Sequence, residues 1–456
     1  MSGEKFALFV SIPFVGHLNP LLRQAEELAC RGWRVGIAST HEVKAFVESD
    51  PCVSQGVEFL DLGSVAHWER DYIRFRQVIS QEKSFLKTSL WIVNSLFQLW
   101  PFFFDNLTEL VRQDPPDIII SDFVTRAALD VAEAEEIPAV VNNPCLLTAI
   151  SIAYLPLAHD VPLPFLGHSI HRLPWHTLWT YPCLRWLAGI LSEATIGAKL
   201  NTLRATRGLG KININQAWGQ YPVIVNGAFG LEYPRPLPAN IKMLGPMLPS
   251  SSSHLSPEDK QWLARDLPVV YVNLGTITMA SSDLIQRMFE SFIKVIKIPM
   301  KVWWILHPDL RHLLPDSLPA HLRIQPWGPP PLSVLQHPNV RVFVSHCGIN
   351  SVQESIAAGT PIVGIPMFAD QWDMALRVQD AGVGLILNKH SFSSEALQVA
   401  IERVLNEPTF SQPIPNLQNT FSRAGGVKAA ADLIESEVSR GLPSSYSQIF
   451  EHRSAL

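Results

Sequence analysis

Residues 340–359, VRVFVSHCGINSVQESIAAG, carry an apolar run that ends abruptly in a histidine, a glycine, an amide, a hydroxyl and a carboxylate: His346, Gly348, Asn350, Ser351 and Glu354. The run reads as a buried strand and the residues after it as the start of a helix, where backbone amides lack intrahelical partners. Ser351-x-x-Glu354 has the spacing of a capping box, which predicts that the hydroxyl and the carboxylate close the first turn between them. That accounts for two of the five residues. A glycine that lets backbone come close, free amides, and neutral or cationic donors beside them make a seat for phosphate oxygens, the chemistry expected of His346, Gly348 and Asn350.

Other polar residues stand where apolar runs end: His17, Asp122, Thr276, and Asp370 with Gln371. In open parallel sheets ligands bind beyond the carboxyl ends of the strands, so these are the next candidates. After His17 come Asn19, a good N-cap, and Pro20, suited to the first helical position, so a helix is expected to begin just past a loop holding the histidine. An imidazole oriented by a carboxylate can take a proton from a hydroxyl. The plainer alternatives are a histidine that only makes structural hydrogen bonds and an aspartate that closes a strand. H-E-x-x-H, G-x-G-x-x-G, G-x-x-x-x-G-K-[ST] and D-x-D do not occur, so the zinc-protease, dinucleotide, P-loop and metal-clasping signatures are all missing.

The elements that would position these groups come in two series. FALFVSI (6–12), WRVGIAS (33–39), DIIIS (117–121), PAVVN (138–142) and YPVIVN (221–226) form the first; PVVYVNLG (268–275), KVWWIL (301–306), VRVFVS (340–345), PIVGIP (361–366) and GVGLIL (382–387) form the second. None alternates polar and apolar residues, the mark of strands covered on both faces. The fold class expected is α/β, two facing Rossmann-like doubly wound domains with a cleft between them. The Ser run at 250–253 marks a linker, giving an N-terminal domain 1–248, a linker 249–258 and a C-terminal domain 259–434, with a last helix near 435–456 packing back on the first domain. Segments 63–110 and 146–200, rich in Trp, Phe, Leu and His, either wall an apolar pocket or pack as ordinary helices.

In bulk, 456 residues with 47% hydrophobic and 17% charged, a net charge of -5 and no Lys/Arg run argue for small-molecule chemistry over nucleic acid or an anionic membrane. Five scattered cysteines without C-x-x-C indicate neither a disulfide framework nor a zinc site. The apolar stretch LWIVNSLFQLWPFFF (90–104) is shorter than the roughly 20 residues a bilayer requires. A soluble, cytoplasmic monomer without a transmembrane anchor is expected.

The segment HPNVRVFVSHCGINSVQESIAAGTPIVGIPMFADQWDMA resembles the nucleotide-sugar signature of the UDP-dependent glycosyltransferases, an inverting family with two facing Rossmann-like domains, the GT-B architecture. GHLNPLLRQAEELACRGWRV, ISDFVTRAALDVAEAEEIPAV and LEYPRPLPANIKMLGPMLP are similar to other parts of the family pattern, so the resemblance reaches both domains. It implies that His346 meets the diphosphate with Gly348, Asn350 and Ser351 beside it, that Thr276 touches phosphate from the other side, and that Glu354 accepts from the ribose hydroxyls. Trp327 would stack on uracil, and Asp370 and Gln371 would hold the sugar. His17 would be the general base and Asp122 its partner acid, with no metal and no cofactor beyond the UDP-sugar, glucose being expected from Gln371. The chain departs from the pattern in WGPPPLSVLQH, one residue longer between Trp327 and His337, and at Ile349 and Met374. The implied activity is transfer to a hydroxyl of a small apolar or aromatic acceptor of the plant secondary-metabolite type. Its rivals are a UDP-sugar epimerase or hydrolase on the same fold and a non-catalytic nucleotide-sugar-binding partner.

Overall fold

The computed structural model describes residues 4–81, 85–147, 162, 168–249, 255–264, 267–275, 280–293, 299–368 and 370–440. Two parallel sheets organise them. The first contains β1 (Phe6–Val10), β2 (Arg34–Ser39), β3 (Val57–Asp61), β4 (Ile118–Asp122), β5 (Ala139–Asn143), β6 (Val223–Val225) and β7 (Ile241–Met243), in the order β3-β2-β1-β4-β5-β6-β7. The second contains β8 (Val269–Asn273), β9 (Lys301–Ile305), β10 (Leu322–Gln325), β11 (Val340–Ser345), β12 (Ile362–Gly364) and β13 (Gly384–Ile386), in the order β10-β9-β8-β11-β12-β13. Every residue of β1, β4 and β5 is buried, as expected for strands with helices on both faces. These are two doubly wound Rossmann-like domains, the GT-B arrangement.

Strand order reverses between β1 and β4 in one sheet and between β8 and β11 in the other, and at such a switch point the loops diverge and leave a crevice. Register fixes what lies there. Val10 pairs with Ser121, so the chain leaving β1 emerges beside Asp122. Ser345 pairs with Asn273, so His346 emerges beside the turn at Leu274 and Gly275.

Strands β3, β7 and β10 are additional to the ten anticipated, and each lies at a sheet edge. An edge strand is covered less completely, and all three have exposed or half-buried positions where a continuous apolar run would be required to reveal them. The helix that returns to the first domain is Gly426–Arg440, beginning earlier than position 435; residues 441–456 lie outside the described residues. Its Ala430, Ala431 and Ile434 join the core formed by Leu18, Leu21 and Leu22 of helix Val15–Cys30. Arg31 donates to Asp432 (2.6 Å) and Glu435 (2.9 Å) at the rim.

The lobes also meet around helix Gln371–Asp380. Arg377 pairs with Glu232 at 2.6 Å, both buried, and Asp380 accepts from Ser169 Oγ (2.6 Å), Ile170 N (3.1 Å) and Tyr233 OH (2.6 Å). Removing one member of such a buried pair leaves an uncompensated charge, so the helix is held firmly in place. Among the described residues no helix is long and apolar enough to cross a membrane.

Candidate active site

His17 and Asp122 meet across the first switch point, Nδ1 donating to Oδ1 at 2.8 Å. Asp122 is fully buried, and its other oxygen accepts from Thr125 Oγ1 (3.2 Å), which in turn accepts from Ile12 N (3.0 Å). The carboxylate is therefore held at both oxygens. Because an ionised carboxylate only accepts, Nδ1 carries the proton and Nε2 presents a lone pair. Burial pushes the His17 pKa down, but Asp122, through charge and hydrogen bond, with a smaller contribution from Asp370, carries it above the ordinary 6.5. The ring is 20% exposed and stacks on Phe123 at 5.9 Å.

The histidine sits differently from the expectation. Helix Val15–Cys30 starts after Phe14, so His17 lies in its first turn and Pro20 in its interior, and Asn19 caps nothing. A proline is tolerated there because the carbonyl it orphans, that of Gly16, accepts from Asn350 Nδ2 at 2.9 Å. That bond joins the two lobes beside the histidine.

Phe14 lies within 6.3 Å of Tyr72, 6.0 Å of Trp68 and 5.2 Å of Phe75, three rings of helix Trp68–Gln81. This part of segment 63–110 makes an aromatic wall next to the imidazole. The following helix, Phe85–Gln113, instead sends Trp100, Phe103, Phe104 and Leu107 into the core. In 146–200, helix Thr177–Ser192 leaves Trp179 and Trp186 largely exposed; residues 148–161 and 163–167 lie outside the described residues.

On the second lobe, helix Ile349–Ala358 begins directly after Gly348, whose backbone is extended (φ -62, ψ 142) and offers no side-chain cap. The capping box does not form. Ser351 falls inside the first turn, and its hydroxyl makes no hydrogen bond among the described residues. The reason is the His346 ring. A Cβ on Gly348 would collide with His346 Nε2, and one on Gly275 would come within 2.9 Å of the same ring, so the two glycines cradle it and fix where the helix starts. Burial pushes the His346 pKa down to about 4, with a bond to the Asn273 backbone partly offsetting it, and its Nδ1 is enclosed without a partner. An enclosed ring nitrogen without a partner, beside the free amides of a helix start, is a group that a ligand could satisfy.

Glu354, one turn on, makes no hydrogen bond among the described residues, and burial pushes it up to about 7. Trp327 is 63% exposed and meets His307 edge-to-face at 6.1 Å, leaving most of the indole open. Burial raises the Asp370 pKa while the His17 charge opposes it, so the second lobe's carboxylate lies within electrostatic reach of the first lobe's imidazole. Gln371 is buried and its Oε1 accepts from Met367 N (2.9 Å) and Phe368 N (3.2 Å), which leaves its amide nitrogen as the group able to face a ligand. Thr276 lies outside the described residues. The structure thus gathers His17, Asp122, His346, Asn350 and Asp370 about one cleft. Sequence reasoning missed Phe14, Phe123 and Thr125; the last had a signal, standing three residues after Asp122 at turn spacing.

A family model described as UDP-glucoronosyl and UDP-glucosyl transferase matches residues 217–422. UDP-glycosyltransferase 1 of Phaeomoniella chlamydospora is 32% identical over 225 residues, 47% of this chain and 46% of the relative. A UDP-glycosyltransferase of Talaromyces amestolkiae is 26% identical over 440 residues, 90% of this chain and 80% of the relative. The chain is thus similar to UDP-glycosyltransferases, most strongly over its C-terminal half. In the fold, the glycotransferase of kitacinnamycin superimposes with a TM-score of 0.70 at 18% identity, covering 97% of this chain and 100% of that one. Trp327, His346 and Gln371 fall within the matched segment, whereas His17 and Asp122 lie ahead of it.

Proposed function

We propose that this glycosyltransferase moves a sugar, glucose on the strength of Gln371, from UDP to a hydroxyl of a small apolar or aromatic acceptor, with inversion at the anomeric carbon. The acceptor lies against Phe14, Trp68 and Tyr72. His17 Nε2 takes the hydroxyl proton as the oxygen attacks from the face opposite UDP, and Asp122 stabilises the imidazolium that forms. Charge growing on the departing diphosphate is met by His346, Asn350, Ser351 and the free amides of helix Ile349–Ala358. Glu354 accepts from the ribose and Trp327 stacks on the base.

The 2.8 Å bond between His17 and Asp122 is the observation that most supports this reading. An acceptor screen with labelled UDP-glucose, read by product mass, tests the activity. His17→Ala should retain UDP binding and lose about a hundred- to ten-thousand-fold in kcat. Undiminished turnover would remove the base assignment, and UDP release without any acceptor would favour a hydrolase.

A further inference from the structure

We propose that Asn350 is a positioning residue: it ties the His17-bearing helix to the donor lobe through a backbone carbonyl that Pro20 sets free. The proposal rests on the transferase reading above. In an uninterrupted helix beginning at Val15, the N–H of residue 20 would bond to the Gly16 carbonyl. Pro20 lies inside that helix and has no N–H. The Gly16 oxygen accepts instead from Asn350 Nδ2 at 2.9 Å, from a residue 334 positions away on the other lobe.

Each end of this bond adjoins a group the reaction uses. Gly16 immediately precedes His17. Asn350 is the second residue of helix Ile349–Ala358, between His346 and Glu354. An amide nitrogen has two hydrogens. One is spent on Gly16; the other remains for an anionic oxygen at the helix start. A single side chain can therefore hold the donor diphosphate and the start of the base-bearing helix together, so that a filled donor site sets how closely His17 approaches the anomeric carbon. One neutral hydrogen bond at the surface of a cleft contributes little to folding, which suits a contact that is made and broken in each catalytic cycle. The arrangement also explains why a proline sits in the interior of this helix.

The test is a double-mutant cycle between Pro20→Ala, which supplies a competing N–H for the Gly16 carbonyl and leaves every donor-lobe group intact, and Asn350→Ala. Pro20→Ala should bind UDP within about twofold of the parent while kcat falls about three- to tenfold, the range of one lost hydrogen bond. In that background Asn350→Ala should cost clearly less kcat than it does alone. Hydrogen exchange provides a readout independent of turnover: saturating UDP should slow the amides of residues 15–24 in the parent and leave them unchanged in Asn350→Ala, also at saturation. Additive losses in kcat, or equal protection in the parent and Asn350→Ala, would overturn the proposal. Should the parent consume no UDP-sugar, the transferase reading falls, and the exchange experiment still decides the clasp.

Discussion

Glu354 should make donor binding depend on pH. Its half-buried carboxyl has no hydrogen-bond partner among the described residues, and desolvation pushes its pKa up to about 7 from an ordinary 4.5. Accepting from two ribose hydroxyls, one at each oxygen, requires the ionised form, since the acid commits one oxygen to its own proton. At a pKa of about 7 the ionised fraction is about one tenth at pH 6 and about nine tenths at pH 8, so donor affinity should rise about tenfold between those values. The ligand of choice is UDP-glucose, whose two phosphates are both esterified and do not titrate in this range. His346, at about 4, stays neutral throughout. Calorimetric titration in the His17→Ala, Asp370→Asn background removes the two other groups that titrate nearby and prevents turnover. Glu354→Gln in that background should bind with an affinity independent of pH. The unliganded protein supplies the opposite sign: as pH rises from 4.5 the unfolded chain ionises this group before the folded one does, so Glu354 costs up to about 3 kcal/mol of stability above pH 7. Glu354→Gln should therefore raise the melting temperature at pH 8 and leave it unchanged below pH 4.5. A parent affinity that is flat from pH 6 to 8, or that falls, refutes the assignment of this carboxylate to the donor.

Two further perturbations separate catalysis from folding. Asp122→Asn removes the charge that does most to hold the His17 pKa above 6.5, while its amide oxygen can still accept from Nδ1; kcat should drop, and the acid limb of the pH–rate profile should move to lower pH, because the neutral base then survives in more acidic solution. A limb that stays in place would show that another group sets it. Arg204, fully buried, donates to Asp130 and, at 2.9 Å, to Glu133. Arg204→Leu should cost about 3 kcal/mol in denaturant unfolding, since it strands the buried Glu133 carboxylate and leaves Asp130 only Arg126 and Trp100, and an unchanged midpoint would contradict this.

Much of this arrangement was legible in the chain itself. The central strands are apolar runs because both of their faces are covered, and the residues just past them are polar because they line a crevice. Both histidines were found that way. What failed was local. The capping box around Ser351 and the N-cap at Asn19 each obey good helix-start rules, yet tertiary contacts decide both boundaries: the His346 ring requires Gly348 at one, and a bond from the other lobe satisfies the Gly16 carbonyl at the other. Neither partner is near in sequence, so no local pattern could carry the information. The aromatic wall was recognisable as composition alone, and only the fold separates Trp68 and Tyr72, which face the site, from Trp100 and Phe103, which fill the core.

The central claim is that a nucleotide diphosphate rests at the start of helix Ile349–Ala358, opposite the His17 imidazole. A crystal structure of the protein soaked with UDP tests it most directly. The account predicts phosphate oxygens within hydrogen-bond distance of His346 and the first-turn amides, with the His17 ring across the cleft; a diphosphate bound elsewhere, or a His17 ring turned away from it, would contradict the account.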